Sequence, residues 1–186
     1  MSGDPLSGDP MTGHPAAEGP RIVERAEQRY VGISATASMQ QLGDVMPPLF
    51  PEVIGWVEDH GISPSGPAFC KYDAIDMATQ LTIEVGVPTA ETVEGDSRVR
   101  YGVLPAGRYA TVVHVGHPDG LEQATRELLA WAESSGLEWD SFEADDGEHW
   151  AGRLEFYLSD PAEEPDMNKW RTELAFLLKD GSSFNG

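Results

Sequence analysis

A glutamate in a largely apolar strand pattern is the first feature of this chain that could do chemistry. Residues 170–178 read as a strand on which Glu173 shares one face with Arg171, Ala175 and Leu177. A carboxylate beside alanine and leucine differs from the acids of an ordinary solvated strand. The residues alone leave three interpretations open: Glu173 lines a pocket, pairs with a neighbouring arginine, or contacts water as isolated strand acids usually do.

Three further residue types could take part in a site. Glu155 shares a strand face with Tyr157, which puts a carboxylate and a phenol side by side. His114 and His117 are close enough in sequence to approach one metal ion, but no third ligand accompanies them, so we expect no metal site. Cys70 is the only cysteine, and we interpret it as a small buried apolar residue rather than a nucleophile.

The elements that must position these residues occur twice in the chain. Helical segments at 53–62 and 128–137 both put two aliphatic residues before a tryptophan, Trp56 or Trp131, and a glycine after it. A strand-like segment with arginine and tyrosine precedes each helix, and one with a central glutamate, Glu84 or Glu173, follows it. Each unit reads strand, helix, strand, strand. Two such units packed about a pseudo-twofold axis would form a cleft there and bring both glutamates towards one region.

Local patterns define the remaining elements. Strands are predicted at 22–37, 69–72, 78–87, on both sides of a break at 104–107, and at 154–158 and 170–178. Helices are predicted from Pro47 and Pro48 to Gly61, and from Asp119, with Glu122 completing a capping box, to residue 136. A turn is predicted at 73–76, a linker at 89–97 and an acidic loop at 140–148. This order predicts an α+β fold, an antiparallel sheet with two helices packed on it.

Composition excludes several classes of protein. The 186 residues include 32 acids and 12 bases, for a net charge of −20, which disfavours direct contact with nucleic acid or an anionic membrane. The same charge favours a cationic ligand or a basic protein partner, although acidic surfaces also serve solubility alone. No run is long enough to span a bilayer, and the single cysteine fits a cytoplasmic location. Residues 1–19 are rich in Gly and Pro, which predicts a disordered tail.

Several stretches together carry a resemblance to a known family. They are the segments 83–88, 104–110, 116–121, 128–131, 155–161 and 169–174. In this order they resemble the GyrI-like small-molecule-binding family, the effector-binding fold found alone and at the C-terminus of AraC-type and MerR-type multidrug regulators. The resemblance implies one ligand-binding domain over 20–180, with half-repeats at about 20–88 and 98–180, followed by a tail at 181–186. Because no helix-turn-helix pattern precedes it, we expect a stand-alone member.

The resemblance also implies a site. In multidrug-binding members, carboxylates from the last strands lie in an aromatic cavity and bind lipophilic cations, and the matching positions here are Glu155 and Glu173. A buried carboxylate needs a cation or a hydrogen-bond donor, and a flat cation can stack on aromatic rings. The predicted aromatic walls are Tyr157, Tyr109, Phe69, Tyr72 and Trp170. No cofactor is implied.

Three classes of function remain open. The first is a cytoplasmic binding protein that sequesters or senses small hydrophobic or cationic aromatic compounds, such as drugs or toxins. The second is a hydrolase, because some stand-alone members resembling this chain hydrolyse cyclopropane-containing toxins. In that case Glu155, Glu173 and Tyr157 would supply the general base and general acid. The third is a protein-interaction module like the gyrase-inhibitor members, with the acidic surface facing a basic partner.

Deletion of residues 1–19 tests the assignment of the tail. We expect the melting temperature and ligand affinity of the shortened protein to match those of the full chain, because the segment lacks a core-forming pattern. A large fall in melting temperature, measured by calorimetry, would mean that the segment packs on the domain.

Overall fold

In the part of the chain that the structure describes, ten strands form one antiparallel sheet, and two longer helices cover one of its faces. The computed structural model describes residues 19–76 and 78–180, so the predicted tails, apart from Gly19, lie outside the described residues. The strands are β1 Arg21–Arg25, β2 Gln28–Ala37, β3 Phe69–Asp76, β4 Gln80–Pro88, β5 Arg100–Leu104, β6 Gly107–Val115, β7 Ser141–Ala144, β8 Gly147–Trp150, β9 Arg153–Tyr157 and β10 Arg171–Leu177. The helices are α1 Leu42–Val45, α2 Leu49–Asp59 and α3 Leu121–Ser134. None of the described helices combines the length and apolar character needed to cross a bilayer.

The sheet consists of two similar halves joined between β3 and β9. The strand order is β1-β6-β10-β9-β3-β4-β2-β5, with the β7–β8 hairpin attached through β8 to β3. In chain order the first half is β2-α2-β3-β4 and the second is β6-α3-β9-β10, so each half is strand, helix, strand, strand. The predicted α+β fold with duplicated units is therefore confirmed.

The strand registers make the two halves equivalent residue by residue. Tyr30 lies opposite Pro88 in the first half, as Tyr109 lies opposite Leu177 in the second. Counting four residues back from Pro88 and Leu177 reaches Glu84 and Glu173, which the repeat in the sequence had paired.

The two main helices also end in the same way. Gly61 has a φ of 66° and Gly136 a φ of 75°, and both follow the helix in the left-handed conformation that glycine adopts easily. In each case the next residue donates its backbone N–H to a carbonyl five positions earlier, at Val57 or Ala132. Trp56 and Trp131 precede these ends by the same interval, as the repeated sequence predicted.

Alternation along the strands separates a helix face from a helix-free face. On the helix face, Leu49, Val53 and Val57 of α2 pack on the first half-sheet, and Leu128 and Ala132 of α3 pack on the second. On the helix-free face, a separate buried cluster joins both halves; its members are Tyr30, Phe69, Leu104, Tyr109, Leu154, Phe156, Ala175 and Leu177. Aromatic residues on a face without helices are buried because the sheet curls around them.

Four local expectations are corrected by the structure. The predicted strand 22–37 is two strands, since β1 pairs with β6 while β2 pairs with β4 and β5. Strand β3 continues through the predicted turn at 73–76, and the predicted acidic loop 140–148 forms most of the β7–β8 hairpin. Asp119 does not cap α3, because it lies in a short 3-10 helix and its N–H bonds to the His117 ring.

Close packing on the helix-free face requires a glycine in β4. A Cβ atom added at Gly86 would lie 2.6 Å from Cζ of Phe69 and 3.0 Å from Cδ2 of Tyr30. Both rings are buried and pack edge to face at 5.1 Å, so neither has free space to move into. The glycine therefore lets the two rings meet across the strand.

Two glycine substitutions test this packing. We expect Gly86→Ala to lower the free energy of unfolding by about 1–3 kcal/mol, the usual cost of overpacking a core. The control is Gly55→Ala in α2, where an added Cβ meets nothing within 4 Å. This substitution should raise the free energy of unfolding by about 0.5–1 kcal/mol, because alanine favours the helical conformation more than glycine does. Urea titration measures both changes. A neutral Gly86→Ala variant would mean that the two rings are more mobile than their burial indicates.

Candidate functional site

A cavity of about 500 Å³ opens on the helix-free face. Its size lies within the range typical of small-molecule sites. Arg25 from one end of the strand order and Leu104 from the other both line it, which places it inside the curl of the sheet. The floor is apolar and comes from β9, β6, the end of β5 and the residue after it; its side chains are Leu104, Pro105, Tyr109, Leu154 and Phe156. Gln28, Glu27 and the loop at 65–67 complete the wall.

An ion pair crosses the wall of this cavity. Nη2 of Arg25 donates to Oε1 of Glu173 at 2.5 Å, and the two side chains are 27% and 18% exposed. The Arg25 guanidinium carbon lies 5.7 Å from the centre of the Tyr109 ring and 5.4 Å from that of Phe156. Both distances fall within the range for cation–π attraction. In this wall the Glu173 carboxylate and the two aromatic rings thus surround the Arg25 guanidinium.

Register explains why Glu173 reaches the cavity. On β10 it lies opposite Phe156 of β9 and Val113 of β6, so it shares their face. The next residue, Leu174, is fully buried beneath the helices on the other face. Tyr109 projects from β6 into the same region, where its hydroxyl donates to the carbonyl of Pro105 at 2.6 Å. Burial raises the pKa of the Tyr109 phenol to about 12, so it remains protonated at neutral pH.

The second predicted carboxylate has a different environment on the helix face. Glu155 is 8% exposed, and it accepts hydrogen bonds from the hydroxyls of Tyr157 at 2.8 Å and Tyr72 at 3.2 Å. Phe50 of α2 packs edge to face on the Tyr157 ring at 5.1 Å, which covers the cluster. Burial raises the pKa of Glu155, and the two phenol donors only partly offset this effect. Burial also raises the pKa values of both tyrosines, so it shifts all three groups towards their neutral forms.

The structure therefore divides the predicted site residues into groups. Glu173 and Tyr109 line the cavity. Glu155, Tyr157 and Tyr72 come together on the opposite side of the sheet. The expectation that Glu155 and Glu173 face one cavity is therefore not met. The last two predicted residues line neither place: Phe69 is fully buried in the cluster on the helix-free face, and Trp170 donates its indole N–H to the Glu164 carbonyl at 2.7 Å.

A family model decides what kind of domain this is. The model of the GyrI-like small molecule binding domain matches residues 19–179. This chain belongs to that family. No curated protein matches it.

Solved structures share the fold of this GyrI-like domain at low sequence identity. The EcmrR C-terminal domain has a TM-score of 0.67 at 17% identity, covering 87% of this chain and 97% of that domain. In the EcmrR–DNA complex the identity is 19% and the TM-score 0.67, and the 87% of this chain that matches spans 57% of the EcmrR chain. SAV2435 bound to tetraphenylphosphonium has a TM-score of 0.58 at 12% identity, covering 88% and 95%. A hydrolase encoded by lin2189 from Listeria innocua has a TM-score of 0.57 at 14% identity, covering 89% and 94%.

Sequence reasoning missed part of the cavity in this GyrI-like domain. Arg25 and Phe156, which contact each other in the site, were not among the predicted ligand-binding residues. The alternation along β9 did place Phe156 on the face opposite Glu155. The alternation along β10 also placed Glu173 away from the apolar residues that pack under the helices, and together these patterns could have indicated that Phe156 and Glu173 share a face. Arg25 gave no such signal, because its strand read as continuous with the next.

The other residues with possible chemistry take structural places. His114 Nε2 lies 3.0 Å from the carbonyl oxygen of His117, and its ring fills the space beside Gly120. Within residues 19–76 and 78–180 there is no cluster of three or more His, Cys, Asp or Glu side chains suited to a metal ion. Cys70 is fully buried opposite Glu155, and burial raises the pKa of its thiol.

The pH dependence of stability tests the environment of Glu155. The folded-state pKa is raised above the unfolded value of about 4.3. As the pH rises through the unfolded pKa, the unfolded chain releases this proton while the folded chain keeps it, so the folded state loses stability until its own pKa is passed. We expect the free energy of unfolding of the wild type to fall, relative to that of Glu155→Gln, between about pH 4 and neutrality.

Urea titrations at several pH values measure this difference. Glu58→Gln, at an exposed position on α2, controls for the loss of one negative charge. A difference between wild type and Glu155→Gln that stays constant with pH would mean that Glu155 titrates alike in the folded and unfolded chain.

Proposed function

We propose that this GyrI-like domain is a binding protein for small lipophilic aromatic molecules, cationic ones among them, and that the ligand occupies the cavity beside Glu173. The observation that carries the proposal is the cavity itself: about 500 Å³ of space with an apolar floor and a carboxylate in its wall. Membership of a family of small-molecule-binding domains supports the same conclusion.

The chemistry of the wall suits a flat cation. The Tyr109 and Phe156 rings already hold a guanidinium at 5.4–5.7 Å, a geometry in which each ring contributes roughly 0.5–1 kcal/mol. Glu173 adds a partly buried counter-charge, while Leu104 and Leu154 supply apolar contact. Attraction to the net charge of −20 would also concentrate cations near the protein.

The finer biological role is a further part of the proposal. We favour sequestration or sensing of drugs or toxins in the cytoplasm, with a small molecule rather than nucleic acid or membrane as the direct partner. SAV2435, whose fold is similar, has been solved with the lipophilic cation tetraphenylphosphonium, and EcmrR has been solved on DNA. Because this chain spans only 57% of the EcmrR chain in that complex, we carry over no DNA-linked activity from it.

A hydrolase is the main alternative. A protein of similar fold from Listeria innocua is described as a hydrolase, and Glu173 could act as a general base on a strained electrophile. Against this, Glu155 and Tyr157 lie on the helix face, where Phe50 covers them, and Tyr109 already donates its proton to Pro105. Glu173 would have to act with Arg25 as its nearest charged neighbour. A protein-interaction role that uses the acidic surface is the third possibility.

A matched pair of ligands tests the site. The 4-hydroxyphenyltrimethylammonium ion and neutral 4-tert-butylphenol have nearly the same shape and differ in charge. We expect both ligands to bind to the wild type. We expect Glu173→Gln to raise the dissociation constant of the cation by about 10- to 30-fold, on the order of 1.4–2 kcal/mol. The neutral ligand should change little, because its stacking and apolar contacts remain. Calorimetric titration gives the dissociation constants.

Glu27→Gln is the matched control for this experiment. Glu27 also lines the cavity but is exposed at its rim, so its substitution should raise the dissociation constant of the cation by only a few-fold. An equal loss of affinity for both ligands in Glu173→Gln would mean that Glu173 shapes the cavity without selecting for ligand charge. No binding of either ligand by wild type would overturn the proposed site, and consumption of a strained electrophilic ligand would favour the hydrolase.

A further inference from the structure

The place that a ligand cation would take beside Glu173 is already occupied by a cation of the chain itself. The Arg25 guanidinium contacts the carboxylate at 2.5 Å and faces the Tyr109 and Phe156 rings. It therefore makes the three contacts through which the site could recognise an external lipophilic cation. A second positive charge cannot use the same carboxylate oxygen and the same rings while the guanidinium stays there.

We propose that Arg25 is a built-in competitor that sets the ligand selectivity of the cavity. With Arg25 on Glu173, the charge of Glu173 is neutralised and the cavity accepts neutral aromatic molecules. A cationic ligand binds by exchange: it takes the carboxylate and the ring faces, and the guanidinium moves out to solvent. This inference rests on the proposed function and adds to it the residue that decides between charged and neutral ligands.

The position of Arg25 in the fold allows this exchange. It is the last residue of β1, an edge strand whose only strand partner among the described residues is β6. The next two residues, Ala26 and Glu27, are exposed and belong to no strand, so the side chain can leave without breaking the strand ladder. The Arg25 side chain is also already 27% exposed, which gives the guanidinium a short path to water.

The consequence for affinity follows from competition. If the closed arrangement with Arg25 on Glu173 is favoured over the open one by a ratio K, the apparent dissociation constant of a cation is raised by the factor 1 + K. A neutral ligand that leaves the pair intact is not subject to this factor. Removal of the guanidinium should therefore improve binding of the cation and leave the neutral ligand nearly unchanged.

Arg25→Met tests the inference with the same two ligands in the full chain. We expect the dissociation constant of 4-hydroxyphenyltrimethylammonium to fall by about 5- to 30-fold and that of 4-tert-butylphenol to change less than about twofold. Arg29→Met makes the same change in net charge at an exposed position on β2 and should leave both constants nearly unaltered. Arg25→Lys keeps the charge but lacks the planar fork, so its cation affinity should fall between those of wild type and Arg25→Met.

A spectroscopic measurement on wild type keeps the test independent of any variant's stability. The Nε–Hε resonance of Arg25, assigned by its absence in Arg25→Met, should move towards the position of a solvated arginine when the cation binds. It should not move that way when 4-tert-butylphenol binds.

The outcomes separate this inference from the proposed function. Binding of both ligands with an unchanged Arg25 resonance, or an equal change of both affinities in Arg25→Met, would overturn the competitor role and leave the binding site standing. Weaker cation binding in Arg25→Met would also overturn it, since Arg25 would then assist the ligand. Failure of wild type and variants to bind either ligand would overturn the proposed function and this inference together.

Discussion

Backbone hydrogen bonds to β6 and β9, along the two edges of β10, determine on which face of the sheet each β10 side chain lies. In this register Leu174 is opposite Glu155, and Glu173 is opposite Phe156. A shift of one residue would exchange the faces of the whole strand, moving Glu173 under the helices and Leu174 out of the core. Leu174 and Phe176 are almost completely buried, so the packing of α3 against them holds the register. The carboxylate reaches the cavity as a consequence of how its neighbours pack on the other side of the sheet.

The same alternation gives two glutamates contrasting properties within one sheet. Glu155 lies under the α2 side of the helix layer, where two phenol hydroxyls satisfy it and burial raises its pKa. Glu173 lies at a solvent-accessible cavity with a guanidinium as its partner. A buried carboxyl group with two phenol donors suits a structural hydrogen-bonded cluster, whereas a carboxylate that meets water and a guanidinium has the surroundings of a binding site. Of these two glutamates, Glu173 is the one that lies in the cavity wall.

The duplicated fold could be predicted because its signals are local and occur twice. The helix ends at Gly61 and Gly136 and the tyrosines that precede each helix were all visible in the sequence. Glu173 and Tyr109 were likewise predicted to line a pocket, and both line the cavity, while their part in binding stays a prediction. Arg25, the partner of Glu173, could not be predicted, because no Gly or Pro interrupts the chain at 26–27. The separation of β1 from β2 arises only when β1 pairs with the distant β6. For the same reason, Glu155 could not be assigned to a face of the folded sheet before the register between β9 and β10 was known.

The two halves of the site are equivalent in backbone and different in charge. Strand β1 pairs with β6 as β5 pairs with β2, and the registers put Leu104, opposite Gln28, at the position equivalent to Arg25, opposite Gly107. Both residues line the cavity, so one end presents a guanidinium and the other an isobutyl group. The glutamate equivalent to Glu173 is Glu84, which lies opposite Lys71 and accepts from the Ser34 hydroxyl at 3.2 Å, outside the cavity wall. Equivalent positions of a symmetric scaffold thus differ in charge, so that the cavity has one polar and one apolar end.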